Sequence, residues 1–183
     1  MWNKAVEADL GEILTRWSIR ASVVCYLLRL YVDLLRTEPP RTSIIVVTRR
    51  VWTIGFVLYA LHVYCAFEFV HDWSHRSALR DTAEQTAAVT GLYWGGGLYV
   101  NYVFSLLWMF DVAAWWLLGP IFPYRRPAYR FGLHAVFGFM MFNATVVFGP
   151  PVWRLAGLVV VMVAAAVLVV RSVRRARDRP KDS

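Results

Sequence analysis

Charged side chains are scarce in this chain of 183 residues, and cysteine and histidine are scarcer still. Only 17% of the residues are Asp, Glu, Lys or Arg, against about 25% in an ordinary soluble domain. The two cysteines stand in no CxxC or zinc-ligand spacing, which excludes a disulfide scaffold and a zinc finger. The sequence also lacks a phosphate-binding loop, a nucleotide fingerprint and a nucleophile motif. These absences exclude the commonest soluble enzyme classes.

Apolar residues fill the chain instead, at 58% of all positions, with 16% aromatic. Five stretches contain no charged residue: 51–67, 98–110, 112–122, 131–153 and 155–170. Because a helix needs about 20 residues to cross the hydrocarbon of a bilayer, the pattern predicts an all-α, polytopic transmembrane bundle in one membrane domain, 1–183. The four predicted spans are 50–70, 98–118, 131–148 and 152–171.

Basic residues separate the apolar stretches, in the segments 36–50, 125–130 and 171–181. Lys and Arg concentrate in cytoplasmic loops of membrane proteins, so these segments, including the basic tail 172–183, are predicted to be cytoplasmic. The net charge of +8 lies in such flanks, where anionic lipid headgroups account for it, and no nucleic-acid partner is expected. The Arg- and Ala-rich composition suggests the inner membrane of a bacterium.

The first apolar segment, 15–36, is different because it carries a polar stripe. Its polar residues fall within an arc of roughly 80° on a helix, and they are Thr15, Ser18, Ser22, Cys25, Arg29, Asp33 and Arg36. Such an amphipathic helix lies on the cytoplasmic face, or crosses as a first span with the stripe turned into the bundle. The cost of a mid-span arginine, about 2.5–3.5 kcal/mol, favours the surface placement. The protein therefore has four spans, or five.

A cluster of titratable residues follows the first main span: Glu68, His71, Asp72 and His75. On a continuous helix these four side chains share one face, with the spacings by which a helix offers two ligands to a metal ion. A carboxylate beside an imidazole also suits proton transfer. The alternative is that they are solvated residues where the span leaves the hydrocarbon.

Other polar residues lie inside or near the predicted spans. His62 and His134 are candidate haem ligands, although their depths differ. Asp111 is an intramembrane carboxyl, which is by default a functional hypothesis, and His62 is its predicted partner by depth. Asn101 and Asn143 are expected at the level of the Glu68 cluster and could complete a polar layer near the outer surface.

Gly95-Gly96-Gly97 predicts an extracytoplasmic, Gly-rich re-entry before the second main span, because consecutive glycines are unfavourable inside a helix. Residues 78–90 before it predict a short outer helix.

These patterns favour a structural or accessory subunit of a membrane complex, with the bilayer and membrane proteins as partners. The alternative is a protein that binds a metal ion, haem or another ligand in the outer polar layer, or transfers protons there as an enzyme or carrier.

Overall fold

The computed structural model describes residues 2–35 and 41–177, and all regular secondary structure in these ranges is helical. The all-α prediction is confirmed. Loop residues 36–40 and tail residues 178–183, both predicted to be cytoplasmic, lie outside the described residues. The six α-helices are α1 (Trp2–Leu35), α2 (Thr42–Phe69), α3 (His75–Thr90), α4 (Gly97–Leu117), α5 (Pro127–Phe142) and α6 (Pro151–Arg177).

Three helical segments of the described chain are long and apolar enough to cross a membrane. They are Thr42–Phe69, Gly97–Leu117 and Pro127–Val147, the last comprising α5 and a π-helical turn, Asn143–Val147. The apolar part of α6, Pro151–Val167, is shorter. Three of the four predicted main spans thus correspond to helices of spanning length.

Helix α1 runs antiparallel to α2 along most of its length. The Ser22 hydroxyl donates to the Gly55 carbonyl at 2.9 Å, and the His62 ring meets the Thr15 carbonyl at 2.8 Å. Because Gly55 has no side chain, α1 approaches closely: a Cβ there would lie 2.9 Å from that of Cys25. The buried polar residues of the α1 stripe are Ser18, Ser22, Arg29 and Asp33. The stripe therefore faces the bundle.

Aromatic rings from four helices fill the core. Trp52 of α2 and Trp108 of α4 lie with ring centroids 4.7 Å apart, and Phe137 of α5 lies 4.8 Å from each of them. Tyr26 of α1 stacks on Phe137 at 5.3 Å. Each such aromatic pair contributes about 0.5–1.5 kcal/mol beyond its buried area. This core joins α1, α2, α4 and α5.

A tight turn connects α5 and its π-helical extension to α6. Gly149 is buried there, and a Cβ at this position would collide with the Thr145 carbonyl. Pro151 starts α6, where its missing N–H is not needed. The Arg154 side chain donates to the Gly149 carbonyl at 2.8 Å, which fastens the turn. The break predicted between the last two spans is therefore a turn in which Gly149 packs directly against the backbone of Thr145.

The described parts of the predicted basic segments, 41–50, 125–130 and 171–177, lie at one end of the bundle, where α1, α4 and α6 finish and α2 and α5 begin; we call it the basic end. Arg49 of α2 lies 3.9 Å above the ring of Trp116 of α4. The Trp116 indole also donates to the Thr53 hydroxyl at 2.9 Å. Val169, near the end of α6, lines the same cleft as Leu34 and Arg130.

The opposite end carries α3 and the glycine-rich segment. Helix α3 includes the predicted outer helix and ends at Thr90, and the following residue, Gly91, caps it in a left-handed conformation with φ of 76°. A Cβ on Gly95 would lie 2.6 Å from the Leu79 carbonyl, so glycine permits the close approach of this segment to α3. The predicted re-entry is, in the structure, a short non-helical stretch leading to α4 at Gly97.

Candidate functional site

The predicted metal face after α2 does not exist as a helical face. Helix α2 ends at Phe69, and Asp72 and Trp73 adopt left-handed backbone conformations with φ of 48° and 56°. The chain turns there before α3 begins at His75. The prediction that Glu68, His71, Asp72 and His75 share one helix face was therefore wrong.

Three of these residues have separate partners. Glu68 accepts a hydrogen bond from the Trp73 indole at 2.7 Å, and His71 contacts the Asp81 carboxylate at 3.1 Å. His75 contacts the Tyr102 hydroxyl at 3.1 Å. Within residues 2–35 and 41–177, no three His, Cys, Asp or Glu side chains are grouped so that they could hold a metal ion.

The two asparagines do not join this cluster. The Asn143 amide donates to the Phe139 carbonyl of its own helix at 2.8 Å. Asn101 is exposed, and its backbone carbonyl accepts from the Ser105 hydroxyl at 2.8 Å. The Asn101 carbonyl also accepts from the Tyr59 hydroxyl of α2 at 3.4 Å, and the two asparagines do not assemble the predicted polar layer with the Glu68 cluster.

The two candidate haem ligands lie at different depths. His62 contacts the backbone of Thr15 and His134 contacts the side chain of Asp33, both at 2.8 Å. Thr15 and Asp33 are eighteen positions apart on α1, or about 27 Å at 1.5 Å per residue. One haem iron cannot reach both imidazoles, so the prediction that His62 and His134 together bind a haem is wrong.

A different polar site lies inside the bundle towards the basic end: Arg29, Asp33, Asp111 and His134, which we call the Arg29 cluster. The Arg29 guanidinium donates to the Asp111 carboxylate at 3.0 Å, and its Nε lies 3.6 Å from the Asp33 carboxylate. The Arg29 side chain is 0% exposed and both carboxylates are 2% exposed. His134 then contacts Asp33, so the cluster links α1, α4 and α5.

Two indole rings enclose the buried guanidinium. Arg29 lies 4.1 Å from the ring centroid of Trp52 and 4.6 Å from that of Trp115, and both tryptophans are fully buried. A desolvated cation–π contact is worth about 2 kcal/mol. Together with the two carboxylates, these rings explain how an arginine is held at this depth.

Asp111 is the best-satisfied member of the cluster. Its Oδ2 accepts from the Trp52 indole at 2.6 Å as well as from Arg29, and its Oδ1 accepts from the Tyr129 hydroxyl. Three donors therefore occupy the two oxygens of the Asp111 side chain. The predicted pairing of Asp111 with His62 was wrong, because His62 is occupied by the α1 backbone.

Asp33 is satisfied on one side only. Its Oδ2 accepts from His134, while its Oδ1 and the Nδ1 of His134 are buried without a hydrogen bond. The Tyr124 hydroxyl, in the loop before α5, is also buried without one. Burial raises the pKa of the Tyr124 phenol, and the Asp33 carboxylate adds to that rise. The phenol is therefore a neutral neighbour of the cluster.

Two clefts flank the cluster. The first, of about 590 Å³, lies between α4 and α5 beside Asp111 and Tyr129. The second, of about 1140 Å³, lies between α1, α5 and α6 and is lined at one end by Asp33, Arg130 and His134. Each carboxylate of the cluster thus borders one cleft.

Sequence reasoning singled out Arg29, Asp33, Asp111 and His134 as polar residues but did not bring them together, and it missed Trp52 and Tyr129. The available signal was the coexistence of a mid-helix arginine and a mid-helix aspartate, because each needs a buried partner of opposite charge. No protein-family model, curated protein or solved structure matches the chain.

Proposed function

We propose that this protein is a five-span integral membrane protein with a structural or accessory role, in which the buried polar side chains hold helices together. The Arg29 cluster is the observation that supports this role. Its ion pairs and hydrogen bonds join α1, α2, α4 and α5.

The fifth span is α1. If α2 crosses the membrane, its antiparallel partner must cross beside it, because the contacts extend from Gly11, packed against Phe69, to Arg29, packed against Trp52. The buried charges then lie in the bundle interior, as expected for ionisable residues in a membrane. The basic end faces the cytoplasm by the distribution of Lys and Arg.

Reporter fusions test this topology. With five spans, the two termini lie on opposite sides of the membrane, so a C-terminal fluorescent reporter is active and an N-terminal tag is accessible from outside. A surface-lying α1 places both termini in the cytoplasm. Protease protection of both tags in intact cells would overturn the five-span proposal.

The accessory role is tested by the size of the native assembly. We expect the 21.1 kDa chain to migrate within a larger complex on blue native gels after mild digitonin extraction, and Asp111→Ala to release it. A single-chain species under every mild extraction would contradict the accessory role.

A binding role is the second candidate. It is favoured by the open cleft between α1, α5 and α6, with Asp33, Arg130 and His134 at one end. The predicted metal and haem sites receive no such support, because their residues are separated.

A further inference from the structure

We propose that Arg49 and Trp116, at the basic end, form a binding site for the phosphate of one anionic phospholipid of the cytoplasmic leaflet. The inference rests on the proposed membrane topology, which places the basic end at the cytoplasmic face. It depends neither on the accessory role nor on an occupant of the two clefts. It also goes beyond a general attraction between arginine and anionic lipid, because it assigns one guanidinium to one headgroup.

Three contacts that close on one another hold the Arg49 side chain in place. Its guanidinium lies 3.9 Å from the ring centroid of Trp116. The Trp116 indole donates to the Thr53 hydroxyl at 2.9 Å, and that hydroxyl donates to the backbone carbonyl of Arg49 at 2.9 Å. The guanidinium is therefore ordered on an indole ring before a ligand arrives, which lowers the entropic cost of binding.

Arg49 has no carboxylate partner in the described part of the chain. Its guanidinium makes no ion pair and donates no hydrogen bond within residues 2–35 and 41–177. The Nε is buried, so the two terminal nitrogens are the donors available to a ligand. The carboxylates described towards this end, Asp33 and Asp111, belong to the buried Arg29 cluster. Arg49 therefore takes its counter-ion from outside the described residues.

The depth of Arg49 favours a lipid headgroup as the source of that anion. Helix α4 is about 31 Å long at 1.5 Å per residue, which matches the roughly 30 Å of hydrocarbon in a bilayer. Trp116 is the next-to-last residue of α4 and is exposed, as is Leu117 after it, so the ring under Arg49 lies at the edge of the hydrocarbon. Phospholipid phosphates lie just beyond that edge. A planar guanidinium binds two phosphate oxygens through parallel hydrogen bonds.

The charge of the basic end favours an anionic lipid over a zwitterionic one. Four further arginines there are exposed and make no ion pair with any residue that the structure describes: Arg41, Arg50, Arg125 and Arg126. A headgroup that carries its own ammonium group is partly repelled by this surface, whereas phosphatidylglycerol presents only the negative phosphate.

Arg50 provides a matched control for Arg49. The two residues are neighbours on α2 and carry the same charge, but Arg50 is exposed and has no aromatic contact among the described residues. Arg49→Gln and Arg50→Gln therefore change the net charge equally, and only Arg49→Gln removes a guanidinium from Trp116. Thr53→Val is a second variant, because it releases the Trp116 indole without changing the charge.

The experiment is native mass spectrometry of the full chain released from detergent, with dioleoylphosphatidylglycerol and dioleoylphosphatidylcholine as equimolar probes. We expect the first lipid to bind about tenfold more tightly than the second. Arg49→Gln should lower this preference to about twofold or less, and Arg50→Gln should leave it within about twofold of its original value. Thr53→Val should weaken the preference about threefold. Circular dichroism verifies that each variant keeps its helices.

Three results would overturn the proposal. Equal binding of the two lipids would mean that the charge of the headgroup is not recognised. Equal losses in Arg49→Gln and Arg50→Gln would assign the preference to the diffuse charge of the basic end. Displacement of the lipid by glycerol 3-phosphate at equal concentration would assign the site to a soluble phosphate.

These outcomes are separate from those that test the proposed function. The lipid preference is measured in micelles, so a failure of the five-span topology leaves it unchanged. A failure of the lipid site, in turn, leaves the pattern of the reporter fusions unchanged.

Discussion

The two ends of this bundle carry similar residue types and use them differently. Towards the basic end, Arg29, Asp111 and His134 are drawn from three helices into one buried cluster. At the opposite end, Glu68 and His71 make isolated contacts with neighbours close in sequence. Both ends carry many polar residues, yet among the residues that the structure describes the buried charged cluster forms towards the basic end. A buried polar side chain cannot bind water, so it must form its hydrogen bonds with other side chains or with the backbone.

The largest contrast is expected between two carboxylates. Asp111→Ala removes the partner of a fully buried guanidinium and should lower the free energy of unfolding by about 3–5 kcal/mol. Glu68→Ala removes an exposed hydrogen-bond acceptor and should cost less than about 1 kcal/mol. Denaturant titration in micelles, followed by circular dichroism, measures both. Equal losses would mean that the Arg29 cluster does not differ energetically from the outer residues.

Two tryptophans make the comparison sharper, because each donates its indole N–H to a carboxylate. Trp52 donates to Asp111 at 2.6 Å and is fully buried, whereas Trp73 donates to Glu68 at 2.7 Å and is 59% exposed. Trp52→Phe should cost about 1.5–3 kcal/mol, as for a buried hydrogen bond to a charged group.

Trp73→Phe is the matched control, and it should change stability by less than about 0.5 kcal/mol, as exposed substitutions usually do. The same unfolding assay reads both variants. A larger loss of unfolding free energy in Trp73→Phe than in Trp52→Phe would mean that the opposite end contributes more to stability than the Arg29 cluster.

The smallest changes in stability are expected at two glycines. Here the residue at the opposite end, Gly95, is expected to be the one that does not tolerate a side chain. A Cβ on Gly95 would press on the Leu79 carbonyl, so Gly95→Ala should destabilise the protein by about 1 kcal/mol. A Cβ on Gly132 meets open space, so Gly132→Ala should stabilise α5 by about 0.5–1 kcal/mol. Thermal unfolding in detergent distinguishes the signs. A stabilised Gly95→Ala would show that the glycine-rich segment does not pack on α3.

The helices were predictable because their signal is local. Predicted span 98–118 matches α4 at Gly97–Leu117, and the proline-marked turn at 149–151 separates α5 from α6. The prediction of a single metal-binding face was wrong for an equally local reason. Asp72 and Trp73 have positive φ and turn the chain after α2, and the periodicity of the sequence does not reveal such a turn.

The candidate site was predictable only in part. Arg29 and Asp33 are four apart on one helix, so their pairing follows from helix geometry. The other contacts join residues far apart in the chain: Arg29 and Asp111 are separated by 82 positions, and Asp33 and His134 by 101. Depth alone suggested His62 for Asp111, but α1 occupies that imidazole.

The sequence by itself determined the helical periodicity and the long uncharged runs, which are typical of helices in hydrocarbon, and it placed arginine in the segments between those runs. Only the tertiary structure decided which charges meet, because a partner is chosen by the rotation and approach of neighbouring helices. Gly55 illustrates the point, since its missing side chain lets α1 turn its polar stripe inward and carry Arg29 to Asp111.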